Sequence, residues 1–199
     1  MMGKKRQLYN PITQNVIQNT ARNRKSVIRQ IENYRKNKLV LIACSKTKAF
    51  LGDEKLRAEN AYCSRLFQKS RRWAELRGMD WAVISAKHGI IWPHEKIEDY
   101  DLMFGELTPN EKQKWAEKAA HDIHKWRLRR GDFRERWTPP KGKVIVFAGK
   151  AYTEPLRRGL KHFQMSRNET GIEVEEPLEG LQIGERLREL DKTTGVLDG

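Results

Sequence analysis

A serine, a lysine and a histidine stand together in Ser85-Ala86-Lys87-His88-Gly89, directly after the apolar run Trp81-Ala82-Val83-Ile84. A lysine desolvated beside other cations can lose its proton and act as nucleophile or base. A neighbouring histidine can donate to a developing anion or shuttle a proton near neutral pH. Two further stretches end an apolar run in similar chemistry: Cys44-Ser45-Lys46-Thr47-Lys48 after residues 39–43, and Ala148-Gly149-Lys150-Ala151-Tyr152 after residues 144–147. Downstream, Glu98-Asp99-Tyr100-Asp101 adds carboxylates and a phenol in a stretch that can fold back over such an end. Asp99 or Asp101 could orient water. Tyr100 and Tyr152 could stack on a nucleic-acid base, and Gly149 would let backbone approach a ligand closely. Glu175, Glu176 and Glu179 could present a further carboxylate.

Several common site patterns are absent. Ser45-Lys46-Thr47-Lys48 lacks the glycines of GxxxxGK[ST], and the chain has no GxGxxG. HExxH is missing, and Cys44 and Cys63 have no metal spacing, so neither a metal nor a cofactor is expected. Cys44 reads as a small buried residue rather than a nucleophile.

Open α/β sheets bind ligands in the crevice beyond the carboxyl ends of their strands. The three apolar runs therefore read as buried parallel strands whose exits converge. A fourth strand is expected near Ile172-Glu173-Val174, ended by Pro177. Between the strands, Tyr62, Leu66, Trp73 and Leu76 have helical spacing over residues 61–77, stopped by Gly78. Thr108-Pro109-Asn110-Glu111 reads as a capped helix start, running through Trp115, Ala119, Ile123 and Trp126 to about residue 130. Shorter helices are expected over residues 154–163 and 183–190. Trp73, Trp115 and Trp126 belong to the core. After Pro93, residues 94–105 should loop over the upper edge of the sheet. The expected fold is α/β: one domain with a four-stranded parallel sheet and helices on both faces.

The charge narrows the partners. The chain of 199 residues has 40 Lys and Arg against 26 Asp and Glu, a formal +14. Up to Lys38 there are ten basic residues and one acid, so this stretch alone carries +9. We expect a basic arm or helix over residues 1–37, an α/β domain over 38–191 and a frayed tail over 192–199. An excess so localised points to a polyanion, with DNA the expected partner. Lys25, Arg29, Lys48, Arg127, Arg129 and Arg130, with Arg134 and Arg136 nearby, are the candidate phosphate contacts. No apolar run approaches the roughly 18 residues of a membrane span, so a cytoplasmic monomer with no membrane partner is expected.

Taken in order, Ala43-Cys44-Ser45-Lys46-Thr47-Lys48, Ser85-Ala86-Lys87-His88-Gly89, Pro93 with Tyr100-Asp101, Gly149 with Tyr152, and Pro177-Leu178-Glu179-Gly180 resemble a little-characterised prokaryotic and phage domain family. That family is similar to the uracil-DNA-glycosylase-like superfold, and the resemblance extends to anti-phage glycosylases that remove glucosylated hydroxymethylcytosine from viral DNA. It covers residues 38–190 and leaves the basic arm outside. The superfold's usual Gly-Gln-Asp-Pro-Tyr-His is replaced at the first exit by Ala43-Cys44-Ser45-Lys46. Its His-Pro-Ser has no counterpart near Glu175-Glu176-Pro177-Leu178. The resemblance therefore implies where the site lies without fixing how water is activated.

What it implies is a DNA glycosylase that excises a modified base, on double-stranded DNA with the base flipped out or on a single strand. Asp101, Lys87, His88 and Lys46 are the candidate catalytic residues, with Ser45, Ser85, Tyr100, Gly149 and Tyr152 binding the base. A variant of this reading has Lys46 or Lys87 attack the sugar as an amine. Two alternatives stand beside this reading: an enzyme on free nucleosides or nucleotides, and a nucleic-acid-binding module without turnover.

Overall fold

Leu39, Val40, Leu41 and Ile42 are all at most 1% exposed, so the strand that carries them (β1, Lys38–Ala43) must be covered on both faces. The computed structural model of the chain describes residues 37–52, 54–130, 142–166 and 171–195, with Ile28, Ile31, Glu32 and Arg35. In it, β1 pairs in parallel with Asp80–Ser85 on one side and Gly142–Phe147 on the other. In chain order the remaining strands are β2 (Leu56–Arg57), β3 (Asp80–Ser85), β4 (Gly89–Ile91), β5 (Lys96–Ile97), β6 (Gly142–Phe147) and β7 (Ile172–Glu175). The main sheet has the order β4-β3-β1-β6-β7, and β2 pairs with β5 in a separate two-stranded ribbon. The helices are α1 (Ala58–Ala61), α2 (Arg65–Leu76), α3 (Pro109–Arg130), α4 (Lys150–Ser166) and α5 (Ile183–Thr194).

Alternation along the strands sorts the core into two layers. Leu39, Leu41, Ala82, Ile84, Val144 and Val146 face Trp115, Ala119 and Ile123 of α3 and Leu156 and Leu160 of α4. Val40, Ile42, Trp81, Val83, Ile145 and Phe147 face Phe67, Trp73 and Ala74 of α2 and Leu190 of α5. The expected four parallel strands are present, with helices on both faces. The sheet, however, has a fifth strand: β4 runs antiparallel to β3 and forms its outer edge. Residues 86–88 are therefore the tip of a hairpin rather than the start of a crossover. Gly89, at φ +79°, supplies the left-handed turn that closes it.

Local signals explain most boundaries. Thr108 and Glu111 cap α3 reciprocally: the Glu111 N–H donates to the Thr108 Oγ1 at 3.3 Å, and the Glu111 carboxylate accepts from the Thr108 N–H at 2.8 Å. The expected helix over residues 61–77 is instead two, broken at residues 62–64, because Ser64 caps α2 by accepting from the Phe67 N–H. Helix α4 begins four residues earlier than expected, and α5 continues to Thr194 before Gly195 ends it at φ +72°. Trp73, Trp115 and Trp126 are buried, as expected. Among the described residues no helix is long and apolar enough to cross a membrane. The basic arm, with Lys25 and Arg29, and the arginines at 134 and 136 lie outside the described residues.

Where α4 crosses α3, the two backbones touch. A Cβ added at Gly159 would lie 2.5 Å from the Ala116 carbonyl oxygen, a backbone atom that cannot swing away. Gly159→Ala should therefore cost about 1–3 kcal/mol, outweighing the gain of about 1 kcal/mol in helix propensity. Gly184→Ala, on an exposed helical position with nothing within 4 Å, should instead gain stability. Urea unfolding midpoints of the two variants against wild type would check both signs.

Candidate functional site

The carboxyl ends of β1 and β3 are tied together by the Cys44 N–H, which donates to the Ile84 carbonyl at 3.0 Å. Beyond this point the parallel pairing of β1 with β3 ends, and the polar residues begin. Ser85 is fully buried, so its hydroxyl must be satisfied inside the protein. It accepts from the His88 N–H at 3.3 Å across the hairpin turn, and it lies 2.7 Å from the Tyr100 phenol oxygen. Tyr100 is in turn 2.9 Å from the hydroxyl of Tyr62, which is also fully buried. The exit of β6 reaches the same place. The Gly149 carbonyl accepts from the Tyr152 and Thr153 N–H groups at 3.0 and 3.3 Å, starting α4 and bringing the Tyr152 hydroxyl 3.4 Å from the Cys44 sulfur. The three exits converge on Cys44, Ser85 and Tyr152, with Tyr62 and Tyr100 between them.

Lys48 fixes the segment that delivers Tyr100. Its ammonium donates to the Tyr100 carbonyl, pairs with the Asp99 carboxylate at 3.3 Å and lies 4.4 Å from the centre of the Tyr100 ring. Its backbone forms an isolated antiparallel bridge with Tyr62. The role expected for Lys48 as a phosphate contact is therefore corrected: the side chain is 11% exposed and its charge is spent within the protein.

Electrostatics keep this cluster neutral at its centre. Burial pushes the phenols of Tyr62, Tyr100 and Tyr152 well above the ordinary tyrosine value, so all three remain protonated donors. Burial also pushes the His88 imidazole below its ordinary value, helped by the nearby charges of Lys87 and Lys118 and opposed by Glu95 and Glu98. The Lys118 ammonium donates to the His88 carbonyl at 2.8 Å. Positive charge stands at the rim, where Lys46 and Lys87 are exposed and neither forms an ion pair among the described residues.

The remaining candidates divide. Asp101 is exposed and follows Tyr100 directly, while the Ser45 hydroxyl donates to the Thr47 carbonyl at 2.7 Å. Neither tyrosine has the free ring expected of a stacking plate. Lys48, Lys87 at 5.4 Å and the edge of His88 at 5.1 Å surround the Tyr100 ring, and Phe104 and Trp115 pack against Tyr152 at 4.5 and 5.7 Å. Gly149 is exposed with no neighbour that a Cβ would meet, so nothing in the protein itself demands glycine there. Arg127 is corrected outright: it is 1% exposed, packed beside Trp126 against Gly142, and cannot meet a phosphate at the surface. Arg129 is exposed, with its guanidinium 5.8 Å from the Trp92 ring centre. Arg130 ends α3, and its side chain lies outside the described residues. Glu175, Glu176 and Glu179 pair elsewhere, with Lys143, Arg157 and Lys150.

Tyr62 is one site residue that sequence reasoning does not find. It reads as one apolar position of a helical stripe, and only the rule that a buried phenol needs a partner hints at more. Trp115 is a second such residue, its indole N–H donating to the Ser85 carbonyl at 2.7 Å. Among the described residues no three His, Cys, Asp or Glu side chains gather where they could hold a metal ion.

A mostly parallel α/β sheet covered on both faces, with a polar cluster at the carboxyl ends of its strands, defines the class of this protein. Residues 39–192 match the family described as a family of unknown function, DUF6884, and the chain belongs to that family. Over 96 residues, 43% of this chain, it is 32% identical to the uncharacterized protein YfjM of Bacillus subtilis (strain 168), a match that spans 64% of that protein's length. No solved structure matches.

Two outcomes follow from this geometry. Lys48→Met keeps the side-chain length but removes the charge, and should raise amide hydrogen exchange across residues 98–101 about tenfold or more. The second concerns His88, whose folded value lies below that of the unfolded chain. The unfolded state therefore binds the proton more readily, and the stability held above about pH 6.5 is lost as the pH falls through that range. Urea midpoints at pH 7.5 and 5.5 should fall with acid, and fall less in His88→Gln.

Proposed function

We propose that this protein is a DNA glycosylase that excises a modified base from DNA and leaves an abasic site, with glucosylated hydroxymethylcytosine of phage DNA the leading candidate. The observation that supports it best is the convergence of three strand exits on one polar cluster beside Lys46 and Lys87, which form no ion pair among the described residues, in a chain of formal charge +14. A base reaches such a crevice only by leaving the stack. Lys46 and Lys87 at the rim suit the phosphates beside the extruded nucleotide, or its glucosyl and base oxygens. The residues of the basic arm and Arg129 extend that contact along the backbone, with an affinity that falls as salt rises.

In this reading the bond between the sugar C1′ and the base nitrogen breaks with its electron pair passing to the base. A water molecule then bonds to C1′ and loses a proton to the Asp101 carboxylate. The departing base takes up a proton from the protonated groups of the site. In this reading the exposed Asp101 carboxylate, next to the Tyr100 anchor, would also steady the positive sugar. His88, held neutral, contributes hydrogen bonding rather than charge.

A binding module without turnover is the second reading. It is favoured by the Asp101 carboxylate, which has no hydrogen-bond or ion-pair partner among the described residues to orient it. Oligonucleotides carrying normal, uracil, hydroxymethyl and glucosylated hydroxymethyl bases, incubated with the protein and then treated with alkali, separate the two. Excision confined to one modified base, reduced about 100-fold or more in Asp101→Asn with binding retained, is the expected result. Intact DNA across the panel, despite salt-sensitive binding, would support the module instead.

A further inference from the structure

The exposed side of α3 carries its cations in one line. Lys114, Lys118, Lys125 and Arg129 are all exposed, and at 3.6 residues per turn they fall within about 60° of one another around the helix. With a rise of about 1.5 Å per residue, the line is about 22 Å long. The acids of the helix are already engaged. Glu111 caps Thr108, Glu117 accepts from the Gln113 side chain at 3.1 Å, and Asp122 pairs with Lys118 at 3.0 Å. Lys114, Lys125 and Arg129 form no ion pair among the described residues. Lys114 with Lys118, and Lys125 with Arg129, have the i,i+4 spacing at which like charges on a helix repel. An anion lying along the line would relieve that repulsion.

This line is continuous with the candidate site. The hairpin of β3 and β4 turns at the carboxyl end of β3, and there the Lys118 ammonium donates to the His88 carbonyl at 2.8 Å. Lys87, exposed, is the preceding residue. β4 then returns along the sheet edge, and just past its end the Trp92 ring centre lies 5.8 Å from the Arg129 guanidinium. Glu95, the acid beside Trp92, accepts the Trp92 N–H at 2.7 Å. The contacts of Lys118 and Arg129 fix the direction of α3, which descends beside β4 away from the mouth of the site. Lys114, one turn before Lys118, stands at the mouth, and Lys125 lies between the two contacts.

We infer that this face of α3 is a track for one strand of a DNA duplex, its phosphates against Lys114, Lys118, Lys125 and Arg129 and its upper end leading to Lys87 and the strand exits. A B-form strand advances about 3.4 Å per nucleotide, so the line spans about six phosphates. Charge repeated at even intervals suits a phosphodiester backbone better than an acidic protein surface, whose carboxylates have no fixed period. The inference rests on the proposed reading of DNA as the partner and gives that partner a place beside β4. It does not depend on excision.

The test uses binding of the full chain to a fluorescein-labelled duplex of about 20 unmodified base pairs, between about 50 and 200 mM salt. Lys114→Gln with Lys125→Gln removes two charges that hold no partner in the fold. This pair should weaken binding about tenfold or more and lower the slope of log affinity against log salt by about 2. Lys114→Arg with Lys125→Arg should keep the wild-type slope. Arg72→Gln with Arg188→Gln removes the same charge from exposed positions of α2 and α5, which cover the opposite face of the sheet, and should leave the slope unchanged. Equal losses in the two glutamine pairs, or an unchanged slope in the α3 pair, would overturn the track. The excision panel is read separately. A slope lowered only in the α3 pair, with no excision anywhere, would keep the track and remove the glycosylase; specific excision with an unchanged slope would do the reverse.

Discussion

The polar cluster at the strand ends depends on how one strand is paired and covered. β1 has a partner on each side and a helical layer on each face, so its interior positions admit only apolar side chains. Removing a buried leucine from such a strand costs about 2–5 kcal/mol, and a buried charge there would cost more. Chemistry is therefore expelled to the strand's ends. At the carboxyl end the ladder runs out at Cys44, whose N–H still reaches Ile84, and the loops that follow can bring side chains from distant parts of the chain to one point. The site exists because the core excludes it from anywhere else.

Its order depends on a second constraint. Tyr100 arrives on a segment with little regular structure, yet its phenol is inserted between Ser85 and Tyr62 and its carbonyl is held by Lys48. A phenol buried without partners would cost more than such a segment could offset, so the hydroxyls of Ser85 and Tyr62 are what allow the segment to lie against the sheet. Lys48 reinforces this from the loop after β1, and the same loop bridges to Tyr62. The first exit, the residues between α1 and α2, and the 98–101 segment are thereby one polar unit, though far apart in sequence.

How legible this was depends on the range of the interaction. The central strands could be read because residues 39–43 and 81–84 are apolar without interruption, and the start of α3 because Thr108 and Glu111 act within one turn. β4 was missed because three residues, Gly89-Ile90-Ile91, are too few to show a period and precede a proline. Arg127 was misread as part of a basic cluster. It sits one turn beyond Ile123 and next to Trp126, on the face that α3 turns to the core, and that spacing was the available signal. Lys48 could not be read at all from its neighbours, since its partners Asp99 and Tyr100 are brought to it by tertiary folding. The convergence of the three exits was legible from strand chemistry; the packing that denies Tyr100 and Tyr152 a stacking role was not.

The charge distribution links these layers to a kind of ligand. Within the described residues many cations are neutralised by partners in the fold, as Lys69 is by Asp191, Arg71 by Glu75 and Arg157 by Glu176. Lys46 and Lys87 are not, and both belong to strand exits. Desolvation holds the interior of the site neutral, while solvent at its mouth lets the lysines stay charged. A small anion alone would be served by the rim and would leave the inner hydroxyls unused. A wholly neutral ligand would use the hydroxyls and leave the rim idle. Under the proposed reading a nucleotide within a strand would use both, with phosphates outside and a neutral ring within, and this graded polarity is the physical reason for proposing a nucleic-acid base.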